Sequence, residues 1–344
     1  MTTFIEIIQG GLSGLTEYLS AHVLTCLIPA FFIAGAITVF ISQAAVLKYL
    51  GPAAKKWLSY TIASVSGSIL AVCSCTVLPL FGAIYKRGAG LGPAVAFLYT
   101  APAINILAIV YSAKLLGYDL GIARAIGAVV FSIAIGLIMA WLYRKEEAGK
   151  NNQTFVPPAN DNTAKNIGQQ ALFLGTLVGI LVFAASKSWA IVTLLLVALG
   201  LILWRWFNRN EIKHWLLETL RFVRLIAPLL LLGVFIAGIL RVIVPESVVT
   251  DYVGSNSLSA NFIASFLGAL MYFATLTEVP IIKAFMDLGM DSGPALALLL
   301  AGPALSIPSM LVIRNIMGTK KTLVYITLVV FFATLTGYIF GLIN

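Results

Sequence analysis

Cys73 and Cys75 stand one residue apart in the run CSCTVLP, inside a segment that is otherwise apolar, and they are two of the chain's three cysteines. A disulfide between them is disfavoured, because side chains at i and i+2 point apart on a helix and disulfide geometry is narrow. On unwound backbone both sulfurs could instead reach one soft ligand. Thiolates select soft metals and metalloids, so trivalent arsenic or a comparable thiophilic species is the chemistry this pair offers. The bland alternative is packing, since a free cysteine behaves as a small hydrophobe, and Cys26 reads that way. His22 and His214, the only histidines, lie far from the thiols in sequence and leave no tetrahedral set for zinc. Neither a metal site nor a cofactor is expected.

Glu278, in TLTEVP, is a carboxylate inside another apolar run. Such a residue costs about 2.5–3.5 kcal/mol on membrane-insertion scales and usually faces a cavity on a substrate or proton pathway. It is either a proton carrier or an acidic cap on the helix that restarts at Val279–Pro280. Thr76, Thr277, Asn105 and Ser306 are the polar groups beside the same kind of Pro-marked interruption. Lys86 and Asp287 occupy matched positions. They are either snorkelling anchors or a gate pairing across the molecule.

The elements that must position these groups are membrane helices. The 344 residues are 60% hydrophobic and only 10% charged, with a mean hydropathy of +1.00, whereas a soluble domain carries about a quarter charged residues. Apolar windows near 24–43, 59–84, 91–113, 119–143, 169–186, 189–207, 224–244, 260–283, 293–316 and 321–342 each have the roughly twenty residues needed to cross a bilayer. The expected class is an all-α polytopic membrane protein of about ten transmembrane helices. The first residues lack the pattern of a cleaved signal peptide. The net charge of +9 is scattered through the loops rather than gathered as a nucleic-acid footprint. Arg144 and Lys145, and the Arg205–Arg224 connector, place those loops in the cytoplasm by the positive-inside rule. Both termini then lie inside, and Lys48, Lys55, Lys56, Arg314, Lys320 and Lys321 fall outside against the rule.

An internal repeat organises the spans. LPLFGAIYKRGAGLGPAVAFLYTAPAINI overlies VPIIKAFMDLGMDSGPALALLLAGPALSI so that Pro79, Pro93 and Pro102 fall on Pro280, Pro294 and Pro303 at one offset, with Gly88 on Gly289 and Gly92 on Gly293. Two four-helix units are expected, in residues 1–143 (with an amphipathic lead-in) and 224–344. Between them lie a polar linker at 144–170 and a hairpin with its connector at 171–223. Six intervening spans give the copies the same orientation. Proline removes a backbone hydrogen bond, and broken backbone at membrane depth is tolerated where protein covers it or water reaches it. Matched breaks in two halves therefore point to a transporter's central site, here around Cys73, Cys75, Thr76, Pro79, Pro102, Asn105, Thr277, Glu278, Pro303 and Ser306.

The two blocks CSCTVLPLFGAIYKRGAGLGPAVAFLYTAPAIN and TEVPIIKAFMDLGMDSGPALALLLAGPALSIPSM resemble the ArsP/YraQ-type permeases of prokaryotes over nearly the whole chain. The resemblance implies a multi-pass inner-membrane permease, with Cys73 and Cys75 at the family's cysteine position. Some members export trivalent organoarsenicals through cysteine thiols. The reading is a secondary permease, not an enzyme, whose partners are a small-molecule substrate and the lipid bilayer. The sequence has no Walker-type nucleotide motif and no His-Glu-x-x-His. A membrane thiol-redox protein, exchanging disulfides through Cys73 and Cys75 with a soluble partner, is the alternative. The sequence leaves the oligomeric state open.

Overall fold

The computed structural model describes residues 4–20, 27–40, 49–51, 54–69, 74–104, 106–147, 167–186, 188–243, 252–271 and 278–343. Within them lie fifteen helices and no strand. They are α1 (Phe4–Tyr18), α2 (Ile28–Phe40), α3 (Lys56–Ile69), α4 (Ser74–Lys86), α5 (Leu91–Ala103), α6 (Ile106–Leu116), α7 (Tyr118–Leu142), α8 (Ile167–Ala185) and α9 (Trp189–Trp206). The second half holds α10 (Arg209–Ile243), α11 (Leu258–Leu270), α12 (Glu278–Asp287), α13 (Ser292–Ala301), α14 (Ile307–Met317) and α15 (Thr319–Ile343). Stretches within α7, α9, α10 and α15 are long and apolar enough to cross a bilayer. α10 runs unbroken through the boundary expected at 223–224.

Of the other apolar windows, 169–186 is the single helix α8 and 24–43 contains the single helix α2, while the remaining four hold pairs of shorter helices. The windows 91–113 and 293–316 break after Ala103 and Ala301, where α6 and α14 restart at Ile106 and Ile307. The prolines do not all mark the breaks themselves. Pro93, Pro294 and Pro280 each occupy the third position of a helix, where their missing N–H would have had no intrahelical partner. Pro79 lies within α4, and Pro102 in the last turn of α5. Glycines in the left-handed region turn the chain between half-helices: Gly88 (φ 96°) after α4 and Gly289 (φ 107°) after α12, then Gly117 (φ 111°) before α7 and Gly318 (φ 88°) before α15.

Contacts at the helix ends set the directions and correct two expectations. Lys321, near the start of α15, pairs with Glu146 (2.9 Å) and Glu147 (3.7 Å), just beyond the end of α7. α7 and α15 pack together and therefore run antiparallel. Lys56, at the start of α3, lines the same cavity as Arg144, and Tyr85, near the end of α4, donates to Glu147 at 3.3 Å. The window 59–84 thus enters from the linker face and returns to it. A helix of 13 or 14 residues is about 20 Å long, too short to cross a hydrocarbon core of about 30 Å. On the other side α11 starts beside the end of α15, where Asn256 donates to the Tyr338 carbonyl at 3.1 Å, and α12 ends against the start of α13. The window 260–283 folds back in the same way from the opposite face.

Since these two windows do not cross, the expected common orientation of the halves fails. Lys56 and Lys321 join Arg144 at the linker face instead of falling on the other side. The carboxyl end of α15, some 37 Å from its start at 1.5 Å per residue, lies opposite the linker.

Small residues let the helices touch. A Cβ added to Gly92 would lie 2.8 Å from the Gly136 carbonyl oxygen, and one on Gly293 would lie 2.7 Å from that of Gly337. Backbones this close are the usual device of membrane helix packing. The hairpin α8–α9 is seated on α2 and α10 by aromatic edges, with Phe40–Phe173 at 5.3 Å, Phe173–Trp215 at 5.3 Å, and the Trp215 indole donating to the Phe32 carbonyl at 2.9 Å. Gly136→Ala would set its methyl 2.7 Å from both the Gly92 oxygen and the Tyr60 ring, an overpacking that costs about 1–3 kcal/mol. Thermal unfolding in detergent should show a lowered midpoint for Gly136→Ala and none for Gly175→Ala, where no atom lies within 4 Å.

Candidate functional site

Two breaks between half-helices among the described residues leave buried carbonyls that need donors. At the end of α5 the Ala103 carbonyl accepts from Arg124 Nε at 3.2 Å. At the end of α13 the Ala304 carbonyl accepts from the Tyr325 hydroxyl at 3.3 Å. Arg124 on α7 and Tyr325 on α15 hold matching positions, at the offset that relates Pro79 to Pro280, and so do their two acceptors. One break is served by a cation and the other by a neutral phenol.

The cation continues across to the other half. Arg124 Nη1 donates to Ser112 Oγ at 3.0 Å, and Nη2 to Glu278 Oε2 at 3.3 Å. Arg124 is 0% and Glu278 1% exposed. Ser112 passes its own proton to the Ala108 carbonyl at 2.7 Å, which leaves its oxygen free to accept. Glu278 is the first residue of α12, which packs on α6 and α13, so the pair ties the first half to the second. The position matching Glu278 in the first half is Val77, also buried. Both charges are therefore departures from what the other half has at the same place.

Two buried polar atoms around this pair have no partner among the described residues: Glu278 Oε1 and the Tyr99 hydroxyl. Unmade hydrogen bonds in a low-dielectric interior are costly, and such atoms mark where a solute, a proton or water can be taken up. Ser306, also buried, caps α14, accepting from the Ser309 amide at 3.3 Å and sharing a 2.8 Å hydroxyl contact with Ser309.

Of the residues singled out in the sequence, Thr76, Pro79, Pro102, Glu278, Pro303 and Ser306 are buried at or near the ends of the half-helices. Cys73, Asn105 and Thr277 lie outside the described residues, as does the side chain of Cys75, the second residue of α4. Lys86 and Asp287 are not brought together. Lys86 pairs with Glu218 at 2.7 Å and Asp287 with Lys283 at 2.6 Å, and the two ends of the molecule separate them. Among the described residues no group of three or more histidine, cysteine or carboxylate side chains is placed to hold a metal ion. The residue that sequence reasoning missed is Arg124. Its signal was present, as a lone cation in the apolar run GIARAIGAVVF, and it meets the same criterion that found Glu278.

A helical membrane protein whose broken spans meet around a buried ion pair has the construction of a membrane permease. The chain belongs to the ArsP_1 family of predicted permeases, whose family model matches residues 10–342. It is 48% identical to the UPF0718 protein MJ0584 of Methanocaldococcus jannaschii, over 100% of this chain and 98% of that protein. It is 24% identical to the UPF0718 protein YraQ of Escherichia coli, over 72% of this chain and 58% of YraQ. No solved structure matches. Nothing in these similarities supports the thiol-exchange alternative.

Removing one partner of a buried pair leaves an uncompensated charge and typically costs 3–5 kcal/mol. Arg124→Gln and Glu278→Gln should each lower the thermal midpoint in detergent, and the double variant should lose less than the sum of the two. Additive losses would mean that the residues act separately.

Proposed function

We propose that this protein is a secondary permease of the plasma membrane (the inner membrane in a two-membrane cell) that moves a small solute outward, coupled to protons at Glu278. The observation that carries the reading is the Arg124–Glu278 pair, fully buried between the long helix α7 of one half and the short helix α12 of the other. The halves are best understood as two copies of one unit in inverted orientation. The matching bounds of α6 and α14, and of α7 and α15, at the offset of the prolines support that reading. Inverted copies that place broken helices at the midplane are the architecture on which alternating access by rocking is built.

The proton step follows from electrostatics. With Glu278 ionised, the carboxylate and guanidinium hold α12 against α7. Protonation removes that attraction and leaves Arg124 with the Ala103 carbonyl and Ser112 alone, so the halves are released. Deprotonation restores the tie. Glu278 Oε1, which no described group donates to, is the atom open to the proton. A capping role alone would not need a cation on the opposite half.

The solute proposed is thiophilic, with a trivalent organoarsenical as the chemically matched member. Cys73 and Cys75 flank the start of α4, one of the half-helices beginning inside the molecule. Thiolates there would supply soft donors, with Thr76, Thr277, Asn105 and Ser306 as hydrogen-bonding groups around the same centre. With Arg144 and Lys145 in the cytoplasm, α4 and α5 open toward the cytoplasmic side and α12 and α13 toward the outside.

Everted vesicles test the function. The parent should take up trivalent methylarsenite when a proton gradient is imposed. Cys73→Ser/Cys75→Ser should lose uptake, and Glu278→Gln should lose its response to the gradient. A parent that takes up none would overturn the arsenical assignment, and undiminished gradient dependence in Glu278→Gln would overturn the coupling.

A further inference from the structure

A second feature breaks the correspondence between the halves, at the membrane surface rather than the centre. Where α3, α5 and α7 meet at the linker face there is a cavity of about 520 Å³, lined by Lys56, Ser59, Tyr60, the Gly90–Pro93 turn, Trp141 and Arg144. The matching place in the second half is filled. There the Asn256 amide donates to the Tyr338 carbonyl at 3.1 Å and accepts from Asn261 Nδ2 at 2.9 Å. It also sits so close to Gly293 and Gly341 that neither could carry a side chain. At the offset of the prolines, Asn256 answers to Lys55, which is exposed.

The helix caps differ in the same sense. α13 starts at Asp291, whose carboxylate accepts from the Gly293 amide at 3.3 Å. α5 starts at Gly90, with no side-chain cap of its own. The second half thus caps and plugs this place from its own helices, whereas at the start of α5 the anion is Glu147, from beyond α7, and Lys55 stands where the Asn256 plug would be.

What the first half has instead is positive charge. Lys56 and Arg144 both line the cavity, and among the described residues neither forms an ion pair. Glu147 also faces it, but its carboxylate is engaged by the Leu91 amide (3.2 Å), the Tyr85 hydroxyl (3.3 Å) and Lys321. Tyr60 is 4% exposed, and its hydroxyl has no hydrogen-bond partner among the described residues. Ser59 spends its proton on the Tyr49 carbonyl at 2.7 Å. The wall toward the bilayer is Leu137 and Trp141, and Trp141 (75%) and Trp57 (73%) are exposed at this level. Tryptophan at such a level marks the headgroup zone.

We propose that this cavity is a headgroup site for an anionic phospholipid of the cytoplasmic leaflet, its phosphate held between Lys56 and Arg144. Basic pockets between membrane helices on that face are where acidic headgroups bind. The Tyr60 hydroxyl donates to the ligand from the cavity wall, and the acyl chains run down beside Leu137 and Trp141. The lipid fills in the first half the place that Asn256 fills in the second.

The test uses the full chain purified with equal amounts of phosphatidylglycerol and phosphatidylcholine, with the retained lipid counted by native mass spectrometry. The parent should retain phosphatidylglycerol with a preference of about tenfold over phosphatidylcholine. Lys56→Gln/Arg144→Gln should fall to near parity, while Lys114→Gln/Arg205→Gln, which removes two exposed cations elsewhere, keeps the preference. Unfolding midpoints in phosphatidylcholine alone should agree between the variants and the parent, so that loss of lipid is not loss of fold. Equal retention by the Lys56/Arg144 variant and the parent would overturn the proposal. Complete displacement of the lipid by millimolar inorganic phosphate would also overturn it, by showing a site for free phosphate.

Discussion

The guanidinium of Arg124 and the carboxylate of Glu278 meet in a place where neither can be solvated. Each makes the other tolerable, and each is held by backbone that the helix breaks create. The Ala103 carbonyl exists as an open acceptor because α5 stops there, and Arg124 answers it. Glu278 is the first residue of α12 because that helix begins at membrane depth. Without the breaks the charges would have no place, and without the charges one break would lack its donor. The neutral solution at the other break, Tyr325 to the Ala304 carbonyl, makes it plain that capping by itself does not require a cation.

Because the pair joins the halves, its protonation state bears on how they sit against each other. A contact of this kind is strong when dry and charged, and weak once one member is neutral. In the coupling we propose it acts as a latch, with the unsatisfied Oε1 and the Tyr99 hydroxyl as its open side. The same reasoning separates the centre of the molecule from its rim. Lys86–Glu218 and Lys283–Asp287 each have a partly exposed partner and tie neighbouring surfaces, where ion pairs contribute little.

Much of this was legible in the sequence, and the failures have physical causes. The long runs of α7 and α15 declare themselves by hydropathy, and the proline-bearing windows 91–113 and 293–316 are each divided into two short helices. Hydropathy cannot distinguish a window that crosses from one that enters and returns, since both are apolar for the same length. That is why residues 59–84 and 260–283 read as spans, and why counting them as crossings gives the halves one orientation. The lysines carried the missing information. Lys56 and Lys321 were awkward for the positive-inside rule under the crossing assumption and lie beside Arg144 and Glu146 in the folded chain. Pro79 sits within α4, so the proline itself does not mark a helix end. Arg124 was missed because it lies within two turns of the start of α7, where an arginine is ordinary, and only its burial against Glu278 sets it apart.

The central claim is that Glu278 takes up and releases a proton while buried against Arg124. Infrared difference spectroscopy on reconstituted protein, between alkaline and acidic buffer, reads this without knowledge of the solute. The account predicts a protonated-carboxyl stretch that grows on acidification in the parent and is absent in Glu278→Gln. If that band is the same in both proteins, or if the parent shows none down to the pH at which it unfolds, the pair is a fixed structural tie and Glu278 carries no proton.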